Sequence, residues 1–383
     1  MAVRKRVWTT RRGERKEAWI VDYLVNGSRH IETFARKKDA DAREAKVTVD
    51  VGKGIHIAPS KSPTVTQAGA KWLGDMGGLE ASTVESYRQH LRDHIVPFIG
   101  DLRLGHISVP VVRNFMDKLR AEGRSRAMIK RVVGDLGSIL ADAQERGEVA
   151  HNAVRSLSKR RKKGAGTQKR GQKLKVGVDI PSPQEIKAII ADLKGRWRPL
   201  ILCAIFTGLR ASELRGLCWS DVDLRKNVLH VRQRADKFNQ IGAPKSESGE
   251  RTIPLPPILV NTLREWKLVC PKGEAGLVFP NGNGGIENHA NIVQRGLAPV
   301  QIAAGVVTRT GEAKYTGLHA LRHFYASWCI NRPKDGGLGL PPKMVQQRMG
   351  HATLAMTMDT YAGLFDNGDD GAEMQAAEQA LFS

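Results

Sequence analysis

Near the start of the chain, strand-forming residues gather in two short runs, and most of the later apolar positions follow the period of helices. Strand-forming residues fill 19–25 and 29–34, and an Asn-Gly turn signal separates the two runs. A helix is predicted over 36–49, where alanine and valine recur among charged residues. Residues 1–58 are therefore predicted to form a small β-sheet with one helix.

Three amphipathic patterns predict an all-helical domain over 62–155. Ser82 and Glu85 have the spacing of a capping box, which would open a helix that stops near Pro97 and Gly100. Two further helices are predicted from apolar residues three and four positions apart. These residues are Val111, Phe115, Met116, Leu119, Ile129, Val132, Val133, Leu136, Ile139 and Leu140.

Residues 177–366 are predicted to form a mixed α+β domain. A Ser-Pro-Gln-Glu capping box at 182–185 opens one helix, and a continuous apolar run over 200–206 predicts a buried second one. The strand-like run 228–231 has its predicted partner at 251–255. Further helices are predicted at 256–268, 292–303 and 319–330. The fold class is mainly α with small β elements.

Composition marks a connector and a tail around this domain. Residues 156–176 are predicted to be a basic linker, since ten Lys or Arg and no Asp or Glu lie between Arg155 and Lys175. From Asp366 on, the chain has five Asp or Glu and no Lys or Arg. Residues 367–383 are therefore predicted to be an acidic tail with one short amphipathic helix.

The overall charge points to a polyanionic partner. The 383 residues include 61 Lys or Arg against 39 Asp or Glu, a formal net charge of +22. This excess is typical of nucleic-acid binding, with a ribosomal or membrane-surface protein as the alternative. No apolar run is long enough to span a membrane and no secretory signal is present, so a cytoplasmic, nucleoid-associated protein is expected. Buried thiols in a reducing compartment are predicted for Cys203, Cys218, Cys270 and Cys329.

Several basic residues are candidates for contact with the DNA backbone. A small sheet with a basic edge can enter a major groove, and a basic linker can lie along a duplex. A charged, solvated surface is the alternative reading of the same residues. The candidates are Arg4, Arg11, Arg12, Arg124, Arg126, Lys130, Arg131, Arg160, Arg161 and Lys162.

A group of imidazoles, guanidiniums and one phenol predicts attack on a DNA phosphate. The transition state of a phosphodiester gains negative charge, and the planar fork of arginine can hold two of its oxygens, a role suited to Arg210 and Arg322. A tyrosine hydroxyl has a pKa of about 10 and needs cations and a base, which His319 and His351 can supply. Tyr361 is expected to be the accessible nucleophile.

Other readings of these residues remain open at this point. Tyr325 lies inside an apolar helix and is predicted to be core, whereas Tyr315 precedes the histidine motif without a partner motif. His319 and His323 have the i, i+4 spacing of zinc ligands, but the cation of Arg322 between them would oppose a metal ion. No metal and no cofactor are predicted.

Together these motifs resemble the tyrosine recombinase (phage integrase) family. The resemblance rests on Thr207–Leu214, Lys245, His319-x-x-Arg322-His323, Gly350-His351 and Tyr361. By this resemblance the three regions described above would be an arm-type DNA-binding module, a helical core-binding domain and a catalytic domain, in that order.

The resemblance also implies a role for each matching residue. Rejoining through a phosphotyrosine ester would need neither ATP nor metal. The implied roles are nucleophile for Tyr361, forming a 3′-phosphotyrosyl link; phosphate clamp for Arg210 and Arg322; general acid for Lys245, with Lys237 as its rival; acid and base for His319; hydrogen-bond donor for His351; and support for Glu213 and His323.

The implied function is a site-specific DNA recombinase, the integrase of a prophage or integrative element. Its partners would be double-stranded DNA with core and arm sites, three further copies of itself, an excisionase or directionality factor and a host DNA-bending protein, without a membrane. Members of the family often dock a C-terminal segment onto the neighbouring protomer. A dimer-resolving recombinase, a type IB topoisomerase and a non-catalytic DNA-binding or architectural protein are the alternatives.

Overall fold

The chain folds into two compact units, Met1–Lys162 and Lys163–Ser383, each with its own apolar core. A computed structural model describes residues 2–10, 13–25, 28–52, 62–157, 174–244, 246–365 and 370–382. Helices dominate these residues and the strands form only small sheets, which confirms the predicted fold class.

The first unit begins with a three-stranded antiparallel sheet, β1 (Ala2–Thr9), β2 (Arg15–Val25) and β3 (Ser28–Phe34), covered by helix α1 (Lys37–Gly52). The two predicted strands and the helix are confirmed, while the predicted Asn-Gly turn lies outside the described residues. The sequence does not predict β1, because its many basic residues carry little strand propensity. Pairing with β2 along its whole length orders it.

The rest of the first unit is helical, and its apolar stripes pack into the core as predicted, although Val111 and Met116 are only partly buried. The capping box predicted at Ser82 is wrong, because the helix begins at Ala81 and the side chain of its N-cap residue, Glu80, makes no capping hydrogen bond. A complete capping box instead joins Thr64 and Gln67. The helices are α2 (Val65–Gly74), α3 (Ala81–His90), α4 (Val96–Ile99), α5 (Val109–Ala121) and α6 (Arg126–Glu145), with a π turn over Leu91–Ile95 and a 3₁₀ turn over Leu104–His106.

In the second unit, helices surround two small sheets. The predicted strand pair is confirmed, since β5 (Val228–Val231) pairs antiparallel with β8 (Arg251–Pro254). Three two-residue strands complete the sheets: β4 (Val222–Asp223), β6 (Arg234–Ala235) and β7 (Ile241–Gly242). The capping box at Ser182 and Glu185 is present.

Ten α-helices are described in this unit, and α8 lies at the centre of its core. Eight of the eleven residues of α8 are buried, as its unbroken apolar run predicts. The helices are α7 (Pro183–Asp192), α8 (Trp197–Thr207), α9 (Ala211–Gly216), α10 (Pro257–Val269), α11 (His289–Asn291), α12 (Ala298–Ala303), α13 (Leu318–Ile330), α14 (Pro342–Met349), α15 (Leu354–Tyr361) and α16 (Asp370–Phe382). A π turn over Ile292–Leu297 precedes α12, and 3₁₀ turns cover Trp219–Asp221, Glu247–Gly249, Pro333–Asp335 and Ala362–Leu364.

The prediction of four buried thiols is only half right. Cys203 and Cys329 are buried in helices, but Cys218 and Cys270 are only half-buried. These two lie in connecting segments, where Cys218 Sγ donates to the carbonyl of Ala275 at 3.0 Å. All four cysteines are free thiols. Across the described ranges, no helix is long and apolar enough to cross a membrane.

Candidate active site

Arg210 is placed by a sharp turn between α8 and α9. Gly208 ends α8 with a φ of 60°, and a side chain there would collide with the ring of Tyr325. Glycine adopts this left-handed conformation without a steric penalty. The next helix begins directly after Arg210, whose backbone N–H donates to Glu213 Oε2 at 2.8 Å. The turn therefore holds both the backbone and the guanidinium of Arg210 in place.

Glu213 is a buried carboxylate that bridges two arginines. Its Oε1 accepts a hydrogen bond from Arg210 Nη1 at 2.7 Å, and its Oε2 accepts one from Arg251 Nη2 at 2.7 Å. Burial alone would raise the pKa of Glu213, but the hydrogen bonds and charges of Arg251 and Arg210 lower it to about 2. The carboxylate is thus ionised at neutral pH and fixes the directions of both guanidiniums.

Arg322, on α13, ties two separate loops together from inside the domain. Its Nη1 donates to the carbonyl of Gly208 at 2.5 Å, and its Nη2 donates to that of Met349. The side chain is only 3% exposed, so it cannot be a surface arginine. Burial, and then the nearby charge of Arg210, lower the pKa of Arg322 to about 9, which leaves it positively charged at neutral pH.

The turn after α14 carries His351 and also anchors Arg210. Gly350 ends α14 in the left-handed conformation, and its carbonyl accepts a hydrogen bond from Arg210 Nη2 at 2.8 Å. His351 is buried, and its Nδ1 lies 2.9 Å from Thr357 Oγ1. Burial and the charge of Arg322 lower the pKa of His351 to about 4, so its ring is neutral at pH 7.

Tyr361 lies at the end of α15 with its hydroxyl inside the domain. The expectation of an accessible phenol is wrong, since Tyr361 is only 2% exposed. Its ring stacks on that of His351, with an angle of 9° between the planes, and its Oη lies 2.7 Å from Nδ1 of His323. Burial raises the pKa of Tyr361 to about 12, against the opposing effect of Arg322.

His319 is the most exposed of the three histidines in this cluster. Its ring meets that of His323 edge to face, with 4.5 Å between the ring centroids. Partial burial, followed by the charges of Arg322 and Arg210, lowers the pKa of His319. His319 is therefore neutral at pH 7 and lies on the open side of the cluster.

The structure brings most of the predicted site residues into one cluster. Lys245 lies outside the described residues, and its rival Lys237 instead places its ammonium over the ring of Phe238. The cluster is linked by the hydrogen bonds and ring contacts given above. Its members are Arg210, Glu213, His319, Arg322, His323, His351 and Tyr361.

The competing tyrosines and the metal-site alternative have different surroundings. Tyr325 is buried core as predicted. Tyr315 is also buried, and its hydroxyl donates to Glu185 at 2.8 Å. Glu185 lies near the start of the domain's sequence and is not a member of the cluster. Among the described residues, no group of three His, Cys, Asp or Glu side chains is arranged to hold a metal ion.

The candidates for DNA contact divide into two groups. Arg124, Arg126, Lys130 and Arg131 are all exposed, at the start of α6 or just before it. Arg4 is also exposed and donates to Asp22 at 2.7 Å. The remaining candidates lie outside the described residues, and these are Arg11, Arg12, Arg160, Arg161 and Lys162.

Sequence reasoning missed two members of the site. Arg251 appears in the sequence only as part of a predicted strand, yet its side chain is only 5% exposed and donates hydrogen bonds to Glu213 and, at 2.8 Å, to the carbonyl of Arg348. A charged residue next to the apolar positions of a strand is the one signal that could have marked it. Thr357 carries no such signal, because its contact with His351 depends on the fold.

Comparison with known proteins places the cluster in a family. The sequence profile of the phage integrase family matches residues 182–367, the stretch that contains every member of the cluster. A protein described as "Tyrosine recombinase XerC-like", from Caldanaerobacter subterraneus subsp. tengcongensis, is 26% identical over 353 residues, which cover 85% of either chain.

Solved structures share the fold. The Tn1549 transposon integrase in complex with a circular intermediate DNA superposes with a TM-score of 0.65 at 19% identity, covering 83% of this chain and 100% of that chain. A lambda integrase tetramer bound to a Holliday junction gives a TM-score of 0.57 at 15% identity, covering 91% and 95%. The profile, the relative and the shared fold agree with the two-arginine, three-histidine cluster around a tyrosine. Residues 182–367 thus belong to the phage integrase family of tyrosine recombinases, whose members are site-specific DNA recombinases.

Proposed function

We propose that the protein is the integrase of a prophage or integrative element, and that Tyr361 cuts DNA to form a 3′-phosphotyrosyl intermediate. The observation that carries this proposal is the placement of the Tyr361 hydroxyl against His323, in the same cluster as the guanidiniums of Arg322 and Arg210. A phenol and several neutral imidazoles beside fixed cations suit phosphoryl transfer better than DNA binding alone.

In the proposed reaction, the oxygen of Tyr361 forms a bond to phosphorus while the bond to the 5′ oxygen breaks. Arg210 and Arg322 hold the non-bridging oxygens, on which negative charge builds up. His351, kept in orientation by Thr357, donates a hydrogen bond to the same oxygens, while His319 exchanges protons on the open side. Lys245 protonates the departing oxygen. The ester keeps the energy of the broken bond, so a second 5′ hydroxyl can reverse the step and complete a Holliday junction.

The N-terminal sheet supplies a candidate surface for arm-site DNA. Side chains alternate across strands, and the register puts Arg4 beside Ile20 and Arg6 beside Ala18, on the face opposite the Val21 side chain that packs on α1. Arg29 joins this face and, like Arg4, is held by Asp22, at 2.9 Å. A sheet face with arginines, opposite the face that packs on α1, fits the major groove. Removing Arg4 and Arg29 together should weaken arm-site binding and flatten its salt dependence.

We further propose a tetramer on paired DNA sites, in which the C-terminal segment docks onto a neighbouring protomer. Supporting this, α16 exposes Met374, Leu381 and Phe382, each more than 70% exposed. The lambda integrase structure is a tetramer on a Holliday junction. Deleting residues 367–383 should leave DNA binding intact and reduce assembly of the tetramer. Unchanged recombination by the truncated protein would refute docking of this segment onto a neighbouring protomer.

We favour integration over resolution of dimers because an N-terminal module that binds arm sites would add a second DNA-binding surface. A resolving role is the second candidate, favoured by the XerC-like relative. Sites on two separate plasmids distinguish the two roles, since an integrase joins the plasmids and a resolving enzyme acts on repeats within one molecule. As part of the same proposal, the protein acts at the nucleoid in the cytoplasm, together with an excisionase or directionality factor and a host DNA-bending protein.

The first experiment uses a nicked duplex built from DNA that flanks the gene. The wild type and Tyr361→Phe are incubated with it without added metal, then run on denaturing and native gels. We expect a covalent adduct for the wild type alone and a shifted duplex for both proteins. A shift by both without any adduct would refute Tyr361 as the nucleophile and favour an architectural DNA-binding protein.

A further inference from the structure

The hydroxyl of Tyr361 has one ring nitrogen as its hydrogen-bond partner. Nδ1 of His323 lies 2.7 Å from Tyr361 Oη, and the two rings meet edge to face at 5.7 Å between centroids. His323 follows Arg322 on α13, so the same helix turn supplies the buried cation and the partner of the phenol. None of the family roles given above uses this contact.

The other two histidines are less well placed to take a proton from Tyr361. His351 uses Nδ1 for Thr357, and its ring lies nearly parallel to that of Tyr361 with 6.2 Å between the ring centroids and no described hydrogen bond between the two residues. His319 contacts the ring of His323, and no described hydrogen bond joins it to Tyr361. His323 is thus the group in direct contact with the reacting oxygen.

The surroundings of His323 suit a proton acceptor. Burial, then His319 and Arg322, lower the pKa of His323 to about 4 against a smaller opposing effect of Asp179. The ring is neutral at pH 7, and a neutral imidazole has one nitrogen free to accept. A phenol that only needs a stable partner can donate to a carboxylate, as Tyr315 does to Glu185. Tyr361 is instead paired with a neutral base.

We propose that His323 accepts the hydroxyl proton of Tyr361 as that oxygen attacks the DNA phosphorus. This rests on the proposed nucleophilic role of Tyr361. The Oη–H bond breaks and its proton moves to Nδ1, the Oη–P bond forms, and the 5′ oxygen leaves with a proton from a separate acid. In the reverse step, His323 returns its proton to Tyr361. No electrons are exchanged, and no other reactant is needed.

The charges around His323 make this transfer depend on DNA. An imidazolium next to Arg322 and His319 is unfavourable in the free protein, where Tyr361 keeps its proton at a pKa of about 12. A phosphate between the arginines adds negative charge as the transition state forms, which offsets the new cation. The nucleophile therefore becomes reactive only on a bound phosphate.

The test isolates the nucleophile from the leaving group. The nicked duplex carries sulphur in place of the bridging 5′ oxygen at the cleavage site, and a thiolate leaves without the help of an acid. Adduct rates are measured between pH 6 and 8 for the wild type, His323→Asn and a control, His230→Asn. His230 makes a comparable contact, 2.8 Å from Thr252 Oγ1, away from the cluster. Native gels and melting temperatures show that each variant folds and binds.

The expected result is a change in both the rate and its pH dependence. His323→Asn keeps a hydrogen-bonding atom near the Nδ1 position but cannot accept a proton, so the rate should fall ~10²–10⁴-fold. The wild-type rate should be nearly flat with pH, whereas the variant should gain about tenfold per pH unit, because only ionised tyrosine then reacts. A slower rate with an unchanged flat profile would mean a structural role and overturn the proposal.

A second measurement needs no variant. The nitrogen-15 shifts of imidazole-labelled wild type report which ring nitrogen of His323 carries its proton. The proposal requires an unprotonated Nδ1, and a protonated Nδ1 would overturn it by making Tyr361 the acceptor. If the wild type formed no adduct on any duplex, the proposed function would fail, while the tautomer would still decide the direction of this hydrogen bond.

Discussion

The bridge between Glu213 and its two arginines gives a prediction with a defined size. Glu213→Gln keeps the shape of the side chain and removes its charge, which leaves Arg251 buried without a counter-ion. Breaking a buried ion pair from one side costs ~3–5 kcal/mol. Independently, the lowering of the Glu213 pKa from 4.5 to about 2 corresponds to ~3 kcal/mol of folding free energy at pH 7. We therefore expect a loss of ~3 kcal/mol.

The effect should also depend on pH in one direction. The folded-state pKa of Glu213 lies below the unfolded one, so its stabilisation is full above about pH 4.5 and is lost as the pH falls towards 2. The gap between the wild type and Glu213→Gln should therefore shrink by roughly half near pH 3. Calorimetry at pH 7 and pH 3 follows the unfolding transition that contains this site.

The control makes the same chemical change beside the site. Glu250 is exposed and adjacent to Arg251 in sequence, so Glu250→Gln should change the free energy of unfolding by less than ~0.5 kcal/mol. A Glu213→Gln protein within ~1 kcal/mol of the wild type at pH 7 would refute the bridging argument. An undiminished gap at pH 3 would show that shape, and not charge, is responsible.

Three further predictions concern the same site. Gly208→Ala should lower the free energy of unfolding by at least ~2 kcal/mol more than Gly195→Ala does, as measured by denaturant unfolding. Both glycines have a φ near 60°, but only at Gly208 would the new side chain collide with Tyr325. Equal losses in the two variants would contradict this. Thr357→Val should slow adduct formation on the nicked duplex about tenfold without changing DNA binding, since His351 loses its hydrogen-bond partner. An unchanged rate would mean that stacking on Tyr361 alone orients the His351 ring. Burial and Arg322 lower the pKa of His351 from 6.5 to about 4, so the wild type should lose stability as the pH falls from 6.5 to 4. In an acid unfolding series, His351→Gln should lose less stability over this interval. Parallel stability curves for the two proteins would contradict the prediction.

The periodic parts of the fold could be predicted from the sequence. The stripes of α5 and α6, the apolar run of α8 and the β5–β8 pair are decided by local patterns that burial then enforces. The start of α3 could not be placed, because a Ser-x-x-Glu spacing inside a helix looks the same as one at its beginning. Strand β1 required knowledge of its partner β2, a contact that no local pattern carries.

In the site, the motif residues could be named but not their surroundings. Arg210, Arg322 and His351 were identified by residue type and spacing. Their anchors, however, are the backbone carbonyls of Gly208, Met349 and Gly350, and a carbonyl leaves no mark in a sequence. The burial of Tyr361 and its bond to His323 have the same origin, since they result from how α13 and α15 pack.

All described members of the reacting cluster come from the second compact unit, while the N-terminal sheet and the first helical core belong to the other. Hydrogen bonds close the cluster on itself, from the turn at Gly208 to the one at Gly350. On the proposed assignment of DNA recognition to the first unit, the chemistry and the choice of DNA site lie in separate units and can be inherited separately. Under that proposal, exchanging the first unit for that of a relative would change the DNA site without rebuilding the reacting cluster.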